Sequence, residues 1–198
     1  MKKGYVHSLN NGDLLDKMEI FVVRHGQTDL NKEHIAQGRN GLPLNEKGIE
    51  QANKLYKVFR NEKIDFDFIY SSPQERAIET AKLCSGKDNI IIDNRLDVYD
   101  LGSADGLPLS EIKMTGTVPD MNAYSGVEEL DHYKKRIVSF IDDIIKKYKN
   151  TNYKILIVGH KDSSGMIDAY FNKIDINTIY DDYLKLASSN CEYKKYIL

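Results

Sequence analysis

The sequence predicts an α/β fold, a three-layer sandwich with a mostly parallel central sheet, and three observations carry that expectation. Short apolar runs recur along the chain and read as buried strands. Amphipathic helical patterns lie between them, the order expected of a sheet covered on both faces. Three strand candidates have a charged or imidazole residue at or shortly beyond their carboxyl ends, where ligand crevices open in such folds.

Taken in order, residues 1–17 hold Lys2, Lys3, Asp13, Asp16 and Lys17 with no apolar core. They are expected to be a flexible N-terminal extension and not a signal peptide, ahead of one domain over residues 18–198. Ile20–Val23 is the first strand candidate, followed by Arg24-His25-Gly26. Ile49, Ala52, Leu55, Val58 and Phe59 share one face of a helix. Phe66–Tyr70 reads as the next strand. Ser72, Pro73 and Glu75 then predict a helix with Ser72 as N-cap and Pro73 at its first position. Ile90–Ile92 is a further strand candidate, and Gly102–Tyr124, with weak periodicity, an ordered loop or lid. A long helix over about Glu128–Lys149 has Leu130, Tyr133, Ile137, Phe140, Ile141, Ile144 and Tyr148 as its stripe, with residues 125–128 at its cap. Ile155–Val158 and a segment near Glu192–Ile197 complete the strands.

At 198 residues, 41% hydrophobic and 29% charged, the chain suits one globular domain with a sizeable core. A formal net charge of −2 gives no global attraction to nucleic acid or acidic membranes, so any anion site must be built locally. No apolar stretch reaches bilayer-spanning length. Cys84 and Cys191 show no metal-like spacing and suit small buried residues in a reducing cytoplasm. Neither a nucleic-acid nor a membrane partner is implied, and monomer and homodimer both stay open.

The chemistry sits at three strand ends: Val23-Arg24-His25, Tyr70-Ser71-Ser72-Pro73 with Arg76 just beyond, and Val158-Gly159-His160. A parallel sheet gathers His25, Arg76 and His160 at one edge. Guanidinium forks match phosphate geometry, and a neutral imidazole can attack phosphorus. Phosphoryl transfer through a phosphohistidine is therefore the leading reading. A metal site is the weaker one: the five histidines show no ligand-type spacing, and arginines would repel a cation. Each residue alone also has a structural reading; Thr28 and Asn31, for instance, suit a helix cap.

Val22–Asn31, Gln37-Gly38-Arg39, Leu42–Ala52 and Tyr70–Ala81 follow one another as blocks. In them the chain resembles the histidine phosphatase superfamily, the phosphoglycerate-mutase-like group, over most of residues 18–198. The resemblance implies a phosphoglycerate-mutase-like fold with His25 as phosphoryl acceptor. It implies that Arg24, Arg76 and His160 bind the phosphoryl group, and that Asn31, Thr28, Gln37 and the backbone at Gly38 complete the pocket. No metal or other cofactor is implied, and the substrate is expected to be a phosphorylated small molecule or a phosphoprotein.

Two departures from the family pattern follow. Arg95-Leu96 and the glycines Gly102 and Gly106 fix a register in which the usual proton-donating acid falls on Val98. Asp97, Asp100 and Asp105 are candidate substitutes; Asp100 shares the face of Val98 if the segment is extended. After His160, Lys161-Asp162-Ser163-Ser164 stands where the family usually has glycine. General acid catalysis contributes about 10²–10⁴-fold, so a phosphatase of weak or narrowed activity is expected. Phosphoglycerate mutase-type transfer is the nearest alternative, though the mutases resembled are longer chains. A phosphate-binding or sensing module with reduced turnover is the alternative of another class.

Overall fold

Two faces of one sheet account for the apolar runs. The computed structural model describes residues 17–178 and 180–198, with the backbone of His7–Ser8. The strands are β1 (His7–Ser8), β2 (Glu19–Arg24), β3 (Phe68–Ser71), β4 (Ile91–Ile92), β5 (Met114–Thr115), β6 (Val118–Pro119), β7 (Lys154–Gly159) and β8 (Tyr193–Ile197). The helices are α1 (Asp29–Lys32), α2 (Glu46–Asn61), α3 (Glu75–Ser85), α4 (Leu130–Tyr148) and α5 (Lys161–Phe171). Apart from the His7–Ser8 backbone and Lys17, the extension expected over residues 1–17 lies outside the described residues.

The main sheet has the order β1-β8-β2-β7-β3-β4. Strands β2, β7, β3 and β4 are mutually parallel, while β8 runs antiparallel to β2. Along β2 and β7 successive side chains serve opposite faces. Ile20, Val22, Ile155 and Ile157 pack with Ile137, Phe140 and Ile141 of α4 and Ile167 of α5. Phe21, Val23, Leu156 and Val158 pack with Leu55 and Phe59 of α2 and with Ala77 and Ala81 of α3. Both faces are covered, so neither strand alternates apolar with polar. Burial of each large apolar side chain contributes about 1.5–3 kcal/mol, and Phe21, Phe59 and Phe66 add edge-to-face ring contacts.

The expected stripe of α4 is buried from Leu130 to Tyr148 as read. The helix starts report a difference. Helix α3 begins at Glu75, with Gln74 as N-cap in extended conformation, and Ser72 and Pro73 lie before it. The Ser72 hydroxyl accepts from the Gln74 amide at 3.3 Å and also meets His160 Nε2 at 2.7 Å. Glu128 does not cap α4 with its side chain either; it pairs with Arg136 at 2.8 Å. Strand β4 is a two-residue edge with both isoleucines exposed. The Gly102–Tyr124 stretch is a set of turns around the β5–β6 hairpin. Among the described residues no helix is long and apolar enough to cross a membrane.

Candidate active site

Register sets the two histidines side by side. Strands β2 and β7 pair Arg24 with Gly159, so each ends one residue before a histidine. The His25 amide donates to the Gly159 carbonyl at 2.9 Å, and the imidazole centroids lie 5.2 Å apart at 62°. On the other side of β7, Ser71 faces Val158. The chain leaving β3 therefore delivers Ser72, then α3 with Arg76, to the same edge.

Both ring tautomers follow from partners. His25 Nδ1–H donates to the Gly26 carbonyl at 2.7 Å, which leaves the lone pair on Nε2. His160 Nδ1 faces an N–H of Arg76 at 3.4 Å and accepts from it; Nε2–H then donates to Ser72 Oγ at 2.7 Å. The backbone around His25 is clamped as well. The Gly26 amide donates to Thr80 Oγ1 at 3.0 Å, and Asn190 Nδ2 donates to the His25 carbonyl at 2.8 Å. A Cβ on Gly26 would stand 2.7 Å from the Gly48 carbonyl, so only glycine lets the first turn of α2 come this close.

Arg76 is 1% exposed and donates to the Gly38 carbonyl at 3.0 Å and to Gln74 Oε1 at 3.3 Å. Its Nε, like that of Arg24, is buried without a hydrogen-bond partner among the described residues. Two unsatisfied guanidinium donors in one site call for an anion with several acceptors. Burial pushes the Arg76 guanidinium down to about 10, with Asp97, Asp105 and Asp162 opposing, so it stays charged at neutral pH. Burial also lowers Arg24. Both imidazoles fall well below the ordinary histidine value, first because burial disfavours the cation, then because Arg76 and Arg24 sit nearby. The pair is neutral and the arginines are charged.

Around this centre the remaining expected residues divide. Thr28 is fully buried, caps α1 through the Asn31 amide at 3.2 Å, and donates to Gln37 Oε1 at 2.6 Å. The Asn31 side-chain amide points to the same Gln37 oxygen at 3.4 Å, and Asn31 and Gln37 both line the cavity beside His25. Gly38 presents its carbonyl to Arg76. The three candidate acids lie outside the cavity wall, and each uses both carboxylate oxygens as acceptors. Asp97 takes Gln74 Nε2 and the Val98 amide, each at 2.8 Å, and pairs with Arg39 at 3.3 Å. Asp100 takes Arg39 at 2.9 Å and the Gly102 amide at 3.0 Å. Asp105 takes the Gly38 amide at 2.6 Å and the Asn40 amide at 3.0 Å, which holds the loop that faces Arg76.

A cavity of about 200 Å³ opens over the histidines. Val98 lines it, and its outer wall is apolar: Ile35, Leu101, Leu109, Ile112, Met114 and Leu184. Leu109 and Met114 are 56% and 48% exposed at its mouth. Lys161, exposed, adds one cation, and among the described residues Asp162 is the single carboxylate in the wall. Sequence reasoning passed over Ser72 as a partner of His160, because a serine before proline also reads as a cap. It treated Asp162 only as part of a departure; its signal is a position two residues past His160, in the first turn of α5.

The sequence model of the histidine phosphatase superfamily (branch 1) matches residues 20–194. A Bacillus subtilis protein named as the uncharacterized phosphatase PhoE is 33% identical over 143 residues, covering 71% of this chain and 70% of that one. The broad-specificity phosphatase YOR283W of Saccharomyces cerevisiae is 26% identical over 157 residues, covering 76% and 68%. The phosphoserine phosphatase of Entamoeba histolytica, solved in complex with 3-phosphoglyceric acid, superposes with a TM-score of 0.74 at 21% identity over 90% and 89% of the two chains. That last likeness concerns the fold alone, and the fold is phosphoglycerate mutase-like.

Proposed function

The chain belongs to the histidine phosphatase superfamily, and from that membership we propose that it is a metal-independent phosphomonoesterase working through a phosphohistidine at His25. One observation carries the reading: a neutral imidazole with its Nε2 lone pair free stands beside two guanidiniums whose Nε donors are buried and unsatisfied among the described residues. The lone pair of Nε2 forms the bond to phosphorus as the ester P–O bond breaks. Arg24 and Arg76 stabilise charge on the transferring oxygens, the part that metal ions play in other phosphoryl transfers, with His160 set beside the His25 ring. Water then cleaves the P–N bond, releasing inorganic phosphate and neutral His25. Asn31 and Gln37 complete the polar side of the pocket.

Hydrolysis is favoured over mutase-type transfer by the cavity wall. A bisphosphorylated acid brings at least one further anion, and beyond the phosphoryl clamp Lys161 is the one cation in the wall among the described residues. The substrate we propose is a small phosphomonoester whose ester group is uncharged and largely apolar. The test is a panel of phosphorylated metabolites and phosphopeptides with wild type and His25→Ala. Wild type is expected to release phosphate and to carry an acid-labile phosphoryl label, both lost in His25→Ala. Retention of the label on a bisphosphorylated glycerate product would favour the mutase, and a label that never turns over would favour a sensor.

A further inference from the structure

We propose that Asp162 is the general acid of this site, giving its proton to the leaving oxygen from the first turn of α5. The inference rests on phosphoryl transfer to His25 and adds the residue that completes it. The position usual for the acid carries Val98, and Val98 itself lines the cavity. Among the described residues Asp162 is the single carboxylate in that wall, which His25 and His160 also line. Asp97, Asp100 and Asp105 lie outside that wall, with both oxygens of each accepting from N–H donors. Asp162 differs: it lies in the cavity wall, and among the described residues its carboxyl makes no ion pair with another side chain.

Its surroundings suit a proton that is held and then released. Burial pushes the Asp162 carboxyl above the ordinary carboxylate range, while its amide, Arg24, Lys161 and Arg136 oppose that rise. Arg76 also feels its charge. The phenols of Tyr183 and Tyr133, raised first by burial, are raised further by Asp162. Tyr99, the neighbour of Val98, is raised by burial, by Glu128 and then by Asp162. Asp162, Val98 and Tyr99 line the same cavity. In the first step Nε2 of His25 bonds to phosphorus, the P–O electron pair goes to the ester oxygen, and that oxygen takes the Asp162 proton. In the second step Asp162, now a carboxylate, takes a proton from the attacking water as the P–N bond breaks, which restores both groups.

The experiment compares kcat/KM for propyl phosphate and 4-nitrophenyl phosphate in wild type and Asp162→Asn. An alkoxide needs protonation and nitrophenolate does not, so the variant is expected to lose about 10²–10⁴-fold on the alkyl ester and little on the aryl ester. The fall of wild-type kcat/KM at high pH, where Asp162 ionises, is expected to disappear for the alkyl ester. Equal losses on both esters, or none on either, would overturn the assignment while labelling of His25 persists. Loss of that label in wild type would instead sink the phosphatase reading itself. If Asp162→Asn does not fold, a substituted phenyl phosphate series with wild type decides: a shallow dependence on leaving-group basicity supports a donor, and a steep one overturns it.

Discussion

His160 illustrates how a single hydroxyl decides the state of a catalytic pair. Its Nδ1 accepts from Arg76, so the Nε2 proton must go to Ser72 Oγ, and Ser72 is fully buried. Ser72→Ala leaves that N–H unpaired in the interior, which costs about 1–3 kcal/mol. A chemical melt is expected to show that loss, and phosphate release is expected to fall with it, because the ring is freed to turn. Ser72→Thr keeps the acceptor and is expected to recover much of both; a Ser72→Ala protein as stable and active as wild type would refute the role. At this scale the sequence disclosed types and not partners. Arg24, His25, Arg76 and His160 were legible from strand ends. The bond from Ser72 joins residues 88 positions apart, and local capping chemistry offered a competing account of the same serine.

At the scale of elements, α4 does more than cover the sheet. Arg136, on this helix, donates to the carbonyls of Arg95, Asp97 and Val98 at 2.7–2.9 Å and pairs with Glu128. It thereby fixes the segment that brings Val98 to the cavity, and its guanidinium lies over the Tyr133 ring at 4.4 Å. Removing one partner of a buried pair leaves the other charge uncompensated, at a cost of about 3–5 kcal/mol. Arg136→Met is expected to show a loss of that order in urea unfolding, larger than that of Lys135→Met, whose ion pair with Asp131 is exposed. Equal effects of the two substitutions would refute the clamp. The stripe of α4 was readable because helical periodicity is local. Its anchoring role was not, since Arg136 sits among polar residues whose partners are reached only through the fold. Helix α5 was not anticipated as an element, although Asp162 in its first turn faces the site: Lys161–Ser164 looks polar and Gly165 weakens the helical pattern.

For the whole molecule, the sheet order puts the most anion-seeking part of a nearly neutral chain in its interior. Four residues of the site meet where β2, β7 and β3 end together, a placement legible from the three strand ends. The antiparallel β8 beside β2 was not legible in direction, because periodicity does not record which way a strand runs. Gathering arginines around buried histidines has a consequence for folding. His25 is 4% exposed and His160 1%, and both are held neutral well below their ordinary value of 6.5. In the unfolded chain each binds a proton as pH falls through 6.5, while the folded protein does not. The unfolded state then holds more protons, so stability is full above this pH and declines below it. Each histidine contributes a limiting slope of about 1.4 kcal/mol per pH unit. Unfolding midpoints measured in phosphate-free buffer are expected to drop between pH 6.5 and 5, and the decline is expected to flatten by about half in His160→Gln. A His160→Gln protein with the full wild-type slope would show that the buried pair is not its source, and that acidic groups elsewhere control the acid limb.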